Sequence, residues 1–287
     1  MSHPNKTSFT ETLCFGAMRL VTYSVVAVSL YIFLDIIFKG FPVLSWNFLT
    51  GFPSKGGSEG GILPALLGTF ILVSGTIIVA LPVGMATAVY LSEYARQGRW
   101  NNLLRLSIMT LAGIPSIVYG LFGLGLFVLY FNMGQSILAG CLTLACMVLP
   151  TIIVTSEEAL RAVPQNLRQA SLALGATKWT TIYTNVLPYA LPGMLTGSII
   201  SIGRAAGETA PILLTAVAFF LPKLPQSLFD QVMALPYHLY ILSTQHPDMD
   251  KVRPLQYGTA LVLLLIVFAV NSLAIYLRIS IRKKFRW

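Results

Sequence analysis

The residues best equipped for chemistry lie in the run Gly203-Arg204-Ala205-Ala206-Gly207-Glu208-Thr209-Ala210-Pro211, where a guanidinium and a carboxylate stand four residues apart. They interrupt a hydrophobic segment that otherwise extends from about 199 to 221. At the centre of a bilayer each ion costs about 3 kcal/mol against insertion, so an unpaired Arg204 and Glu208 together rival the net stability of a domain. Two ways of offsetting that cost are open. Helical i, i+4 spacing lets the two ions neutralise one another and fix packing against a neighbouring helix. Alternatively they line a solute pathway, Arg204 presenting a rigid fork of donors suited to an oxyanion and Glu208 restraining the fork until the solute arrives. The second reading is preferred, with Ser116 and Thr209 assigned to the same pathway.

The rest of the chain must hold these ions in a membrane. Of its 287 residues, 55% are hydrophobic and only 10% charged, with a mean hydropathy of +0.75, whereas soluble domains are about 25% charged. Apolar runs near 20–38, 64–91, 104–130, 136–155, 191–221 and 256–279 predict six membrane helices. The first is long enough to span and lacks a small-residue cleavage site, so it reads as a helix rather than a signal peptide. The net charge of +9 suggests nucleic acid only until the cations are placed. Lys6, Arg19, Arg96, Arg99, Arg105, Arg161, Arg168, Lys178, Arg278, Arg282, Lys283, Lys284 and Arg286 all fall on one side of the predicted topology. By the positive-inside rule that side, with both termini, is cytoplasmic, and the partner is membrane lipid, not nucleic acid.

Several local features shape this frame. Gly113 and Pro115, in Gly113-Ile114-Pro115-Ser116-Ile117-Val118-Tyr119-Gly120, predict a kink in the third span, because proline removes a ladder hydrogen bond. Gly193, Gly197, Ser201 and Ala205 at four-residue spacing, with Gly203 and Gly207 as a second small pair, predict close packing of the fifth span on another helix. Pro211 is expected to bend its outer end. The Gly56–Gly61 run lacks the Lys-Ser/Thr of a nucleotide loop and reads as a linker, while Trp46 and Phe48 read as interfacial anchors. Val232 to Leu242 is too short to cross, predicting a re-entrant or interfacial piece, and His238 and His246 read as surface or interfacial. Cys141 and Cys146 read as small core residues, and no metal-ligand cluster or nucleophile-base pair lies within a span.

The loop between spans four and five, 156–189, is the sizeable cytoplasmic insertion. Thr155-Ser156 reads as the cap of a short helix ended by Pro164, followed by a second helix from Leu167 that stops near Gly175. Leu167, Ala170, Leu172, Ala173 and Leu174 are too apolar for a free cytoplasmic surface, so a soluble partner or the lipid headgroups must cover them.

These residues carry a resemblance. Gln169-Ala170-Ser171, Gly175 and Leu187-Pro188 are similar to the EAA loop of ABC importer permeases in the spacing of the Gly and the Leu-Pro. Gln169, Ser171 and Asn185 depart from its Glu, Ala and Ile. Gly113–Gly120, Ala173–Trp179, Arg204–Pro211 and Phe229–Thr244 further resemble the PstA-type permeases of phosphate-specific importers over nearly the whole chain after the first loop. The resemblance implies an all-α integral membrane protein with six transmembrane helices in the type I ABC importer (MetI-like) permease fold, with cytoplasmic coupling helices. Residues 1–63 would form the tail, first helix and outer loop, and residues 64–287 the permease core. It implies a PstC-like second permease, two copies of a PstB-like ATPase, a PstS-like phosphate-binding protein and inorganic phosphate as solute, in the cytoplasmic membrane of a prokaryote. The chain itself would bind no cofactor, ATP and Mg being used by the ATPase that docks on 169–175. The absence of a Walker A sequence agrees with a non-enzymatic subunit. The rival readings are a permease for sulfate, molybdate or phosphonate, and an ATPase-independent channel or secondary transporter.

Overall fold

A computed structural model describes residues 9–54, 57, 59–96, 98–221 and 223–284; Lys6, Arg286 and part of the Gly56–Gly61 linker lie outside the described residues. Proline and hydroxyl side chains open many of the helices. Helix α1 (Phe9–Gly40) leads through a 3-10 turn, Phe41–Val43, to α2 (Trp46–Thr50), whose Phe48 amide donates to the Ser45 hydroxyl at 3.1 Å. Two-residue strands β1 (Pro53–Ser54) and β2 (Glu59–Gly60) pair antiparallel, Pro53 opposite Gly60. Helix α3 (Leu63–Val89) follows, with Pro64 in its first turn, and runs on as a π-helical turn, Tyr90–Tyr94. Next come α4 (Arg99–Ala112), α5 (Ser116–Gly123) with a π-helical continuation to Tyr130, and α6 (Ile137–Arg161). Ser136 caps α6 by accepting from the Ala139 amide at 3.2 Å. The chain continues through α7 (Gln165–Ala173), α8 (Lys178–Thr181), a π-helical turn Ile182–Val186, α9 (Leu187–Gly207), α10 (Ala210–Thr215), α11 (Leu235–Thr244) and α12 (Met249–Lys284).

Five stretches are long and apolar enough to cross a membrane: Glu11–Val43, Leu63–Tyr94, Ile137–Arg161, Lys178–Gly207 and Met249–Ser280. The sixth is the pair α4 and α5, which meet at 103°, so the third span is broken outright rather than kinked. Gly113 ends α4 and Pro115 opens α5 in extended conformation (φ −56°, ψ 139°). Pro115 has no amide to donate and disfavours helical geometry at Ile114.

Two further expectations are corrected. Residues 155–161 continue α6 instead of starting a short helix: Pro150 lies within α6 without ending it, and no proline or glycine follows it before Ala162. The fifth span does not run from 191 to 221. It begins at Lys178 and ends at Gly207, and Pro211 lies in the first turn of the separate α10 rather than bending a continuous rod.

Helix α6 packs against α3, α4, α5, α9 and α10, while α12 packs against α9 and α1 against α12. Leu72 and Ala80 of α3, Leu144, Val148 and Ile152 of α6, and Ile212, Ala216 and Val232 share one buried cluster. Glycine sets the spacing on both flanks: a Cβ on Gly84 would stand 2.6 Å from Ile152 Cγ2, and one on Gly193 would stand 2.8 Å from Ala159 Cβ. The small stripe of α9 therefore faces α6. Phe48 belongs to a second cluster with Ile62, Met233, Leu235 and Val262 and is buried, not interfacial, while Trp46 is exposed. None of the apolar window of α1 is buried within this chain.

Candidate functional site

Arg204 occupies the last turn of α9, and Glu208 is the residue that caps it, in extended conformation (φ −74°, ψ 132°). The C-terminal end of the helix dipole favours a cation there. Arg204 Nε donates to Glu208 Oε1 at 3.1 Å, the Arg204 side chain being 53% exposed and that of Glu208 16%. No other partner for the guanidinium occurs among the described residues, so its two terminal nitrogens remain available. Both ions line an open cavity of about 730 Å³ together with Gly203, Gly207, Leu263 and Asn271. A helix that stops inside an apolar zone, next to a charge and a cavity, has the form of a membrane binding site.

The other predicted pathway residues lie elsewhere. Ser116 is the first residue of α5 and Thr209 caps α10; neither lines this cavity. The two helices do meet, since a Cβ on Gly120 would stand 3.0 Å from Ala210 O and 3.1 Å from Pro211 Cα. Gly203 packs against Asn271 of α12, but Gly207 has nothing within 4 Å of a Cβ position and is not a packing contact; it borders the open cavity instead. Gly113 likewise approaches no other helix.

On the loop that follows α6, α7 ends in a complete Schellman turn. Gly175 adopts φ +82°, its amide donates to Leu172 O at 3.0 Å, and the Ala176 amide donates to Ser171 O at 3.2 Å. Gln169, Ala170, Leu172, Ala173 and Leu174 are exposed, Leu174 at 88%. Leu187 and Pro188 open α9.

Behind that face lie contacts that sequence reasoning missed. Ser171, the third residue of the Gln169 motif, is buried; its Oγ lies 2.9 Å from Thr181 Oγ1 and accepts from Asn185 Nδ2 at 3.0 Å. Two of the departures from the family pattern thus bond each other. Arg168 donates to Glu93 through Nη2 (2.8 Å) and Nε (3.3 Å), and to the carbonyls of Leu160 (2.8 Å) and Val163 (2.6 Å). One guanidinium therefore ties α7 to the ends of α3 and α6. Glu157 accepts from Arg105 at 2.8 Å and from Arg161 at 2.7 Å. Only the Glu157–Arg161 spacing was visible as a local signal; the other pairs join distant segments.

His238 corrects a further expectation. It is 2% exposed, and its Nδ1 has no partner. It sits on the buried face of α11, which is tied to α3 by the Leu235 amide donating to Thr69 Oγ1 at 2.8 Å. Burial pushes the imidazole down to about 4. His246 is half-buried and accepts from the Asp248 amide at 3.1 Å.

Apolar helices long enough to cross a membrane, one broken span and an exposed apolar helix between two spans define a multi-pass membrane protein. Residues 80–286 match the model of the binding-protein-dependent transport system inner membrane component family, and the chain belongs to that family. It is 33% identical over 289 residues to the probable ABC transporter permease protein YqgI of Bacillus subtilis (strain 168), covering 96% of this chain and 97% of that protein. It is 35% identical over 277 residues to the phosphate transport system permease protein PstA 2 of Mycobacterium bovis, covering 96% and 90%. Among solved structures, a bacterial alginate ABC transporter in complex with an alginate pentasaccharide-bound periplasmic protein superposes with a TM-score of 0.67 over 92% of this chain and 93% of that one, at 14% identity. An inward-facing MetNI methionine transporter gives 0.58 at 18% identity, over 77% and 94%. The fold is that of these importer permeases. As an inner-membrane component of a binding-protein-dependent system, the subunit works within a permease, ATPase and binding-protein complex.

Proposed function

We propose that the chain is the PstA-type permease subunit of an ATP-driven inorganic phosphate importer, forming the translocation pathway with a PstC-like second permease. Two PstB-like ATPases dock on the exposed face of α7, and a PstS-like protein delivers phosphate from outside; ATP and Mg act in the ATPases. Both termini are cytoplasmic, as the distribution of cations requires. The observation that carries the reading is Arg204: a cation with its terminal donors free, at a helix break, facing a cavity large enough for a hydrated tetrahedral oxyanion.

Movement of the docked ATPases reaches the pathway through α7. Because Ser171 and Arg168 fasten α7 to the start of the fifth span and to the ends of α3 and α6, a push on Leu172 and Leu174 is transmitted to α9 as a rigid displacement. Arg204 lowers the electrostatic barrier for the anion, and Glu208 accepts from the hydroxyl of hydrogen phosphate, a donor that sulfate lacks.

The test is ATP-dependent phosphate uptake in vesicles holding the chain with and without its companion permease and ATPases. Uptake that requires all of them supports the proposal. Uptake without the ATPase would instead identify a channel or secondary transporter, and a complex that moves sulfate, molybdate or phosphonate in preference would overturn the choice of solute.

A further inference from the structure

Asn271 lies in the apolar stretch of α12, and its side-chain amide has no hydrogen-bond partner among the described residues. Asn271 is half-buried, and the polar contact that its amide lacks within this chain comes from whatever fills the space beside it. Its position says where that contact is. Helix α12 approaches α9 at Gly203, so closely that a Cβ there would stand 2.7 Å from Asn271 Oδ1 and 3.1 Å from Nδ2. The amide is thus held against the residue that precedes Arg204. Asn271, Arg204 and Glu208 line the same cavity, whose α12 wall is otherwise built from Ala260, Leu263, Leu264, Val267 and Phe268. Lipid tails supply no hydrogen bond; an oxyanion drawn in by Arg204 does.

We propose that Asn271 is a third polar residue of the oxyanion pathway. Its two N–H groups donate to unprotonated oxygens of the solute, and its carbonyl accepts from a protonated one. The ligand class that uses both ends of the amide is a tetrahedral oxyanion carrying at least one hydroxyl. Arg204 supplies the charge, while Asn271 and Glu208 count protons. Gly203 serves the same arrangement by admitting the amide to the cavity wall. This inference rests on Arg204 being a pathway residue.

The decisive substitution is Asn271→Asp, which keeps shape and the contact with Gly203 but replaces donors with a negative charge. In the assembled complex in vesicles, with saturating phosphate-loaded binding protein, phosphate moved per ATP hydrolysed is expected to fall at least tenfold at unchanged complex yield. A wild-type ratio overturns the proposal. Arg204→Ala is measured in parallel. If it too transports at the wild-type ratio, the pathway reading itself has failed; if it alone loses transport, only the role of Asn271 has. Should Asn271→Asp not assemble, Asn271→Thr decides by the same ratio: a loss of tenfold or more supports the assignment, and no change overturns it.

Discussion

Arg204 and Arg168 are both paired with a glutamate in an apolar chain, yet the two regions could hardly be more differently arranged. Arg168 is 11% exposed, Glu93 is 8% exposed, and the guanidinium makes two bonds to the carboxylate and two to backbone carbonyls. Arg204 makes one bond, is more than half exposed and faces a cavity. A saturated ion pair fixes elements relative to one another, since removing one partner leaves an uncompensated buried charge. An unsaturated one keeps binding capacity in reserve. The same residue types therefore serve as a fastener at Arg168 and, in the proposed function, as a solute contact at the helix break.

Substitutions at the two arginines test the contrast most directly. Arg204→Ala is expected to lower phosphate uptake by a hundredfold or more while ATPase copurification stays near wild type and stability falls less than in Arg168→Ala, because Arg204 makes one bond and is more than half exposed. Arg168→Ala is expected to lose about 3–5 kcal/mol of stability by leaving Glu93 buried and unpaired, seen as a lower unfolding temperature and a reduced yield of complex in detergent. If Arg168→Ala is stable and fails only in transport, the distinction between fastener and solute contact is wrong.

Glu208→Gln should retain uptake but lose discrimination against sulfate several-fold, measured by competition. Unchanged selectivity would reduce Glu208 to a restraint on Arg204. Ser171→Ala and Asn185→Ile are each expected to cost about 1 kcal/mol, while the double variant, which restores the apolar pair of the family pattern, costs less than their sum; thermal unfolding of all three closes the cycle. The effect expected to be silent at neutral pH is that of His238. Its folded value of about 4 lies below the unfolded value near 6.5, so the unfolded chain binds the extra proton in between. Stability is full above about 6.5 and falls as pH drops towards 4, and His238→Leu should flatten that slope in a pH series of unfolding temperatures.

Local pattern carried much of this. Apolar runs of sufficient length marked where membrane segments lie, because hydrophobic content is local and additive along the chain. Gly175 marked the end of α7 because only a residue tolerant of φ +82° closes a Schellman turn without strain. The sharpness of the breaks was not legible: Gly113 and Pro115 announced an interruption but not 103°, which depends on what α5 packs against. Nor was the end of α9 at Gly207, for the residues beyond it are as apolar as those before.

By itself, then, the order of residues determined that this chain is a helical membrane subunit with a charged pair in an oily segment and an apolar helix between two of its spans. Only the tertiary structure decided which arginine is saturated, that Ser171 meets Asn185, that His238 is buried and that Asn271 stands beside Arg204. Each of these is a contact between segments distant in sequence. Their energy comes from burial and from the hydrogen bonds that burial makes obligatory, and neither exists until the helices have packed.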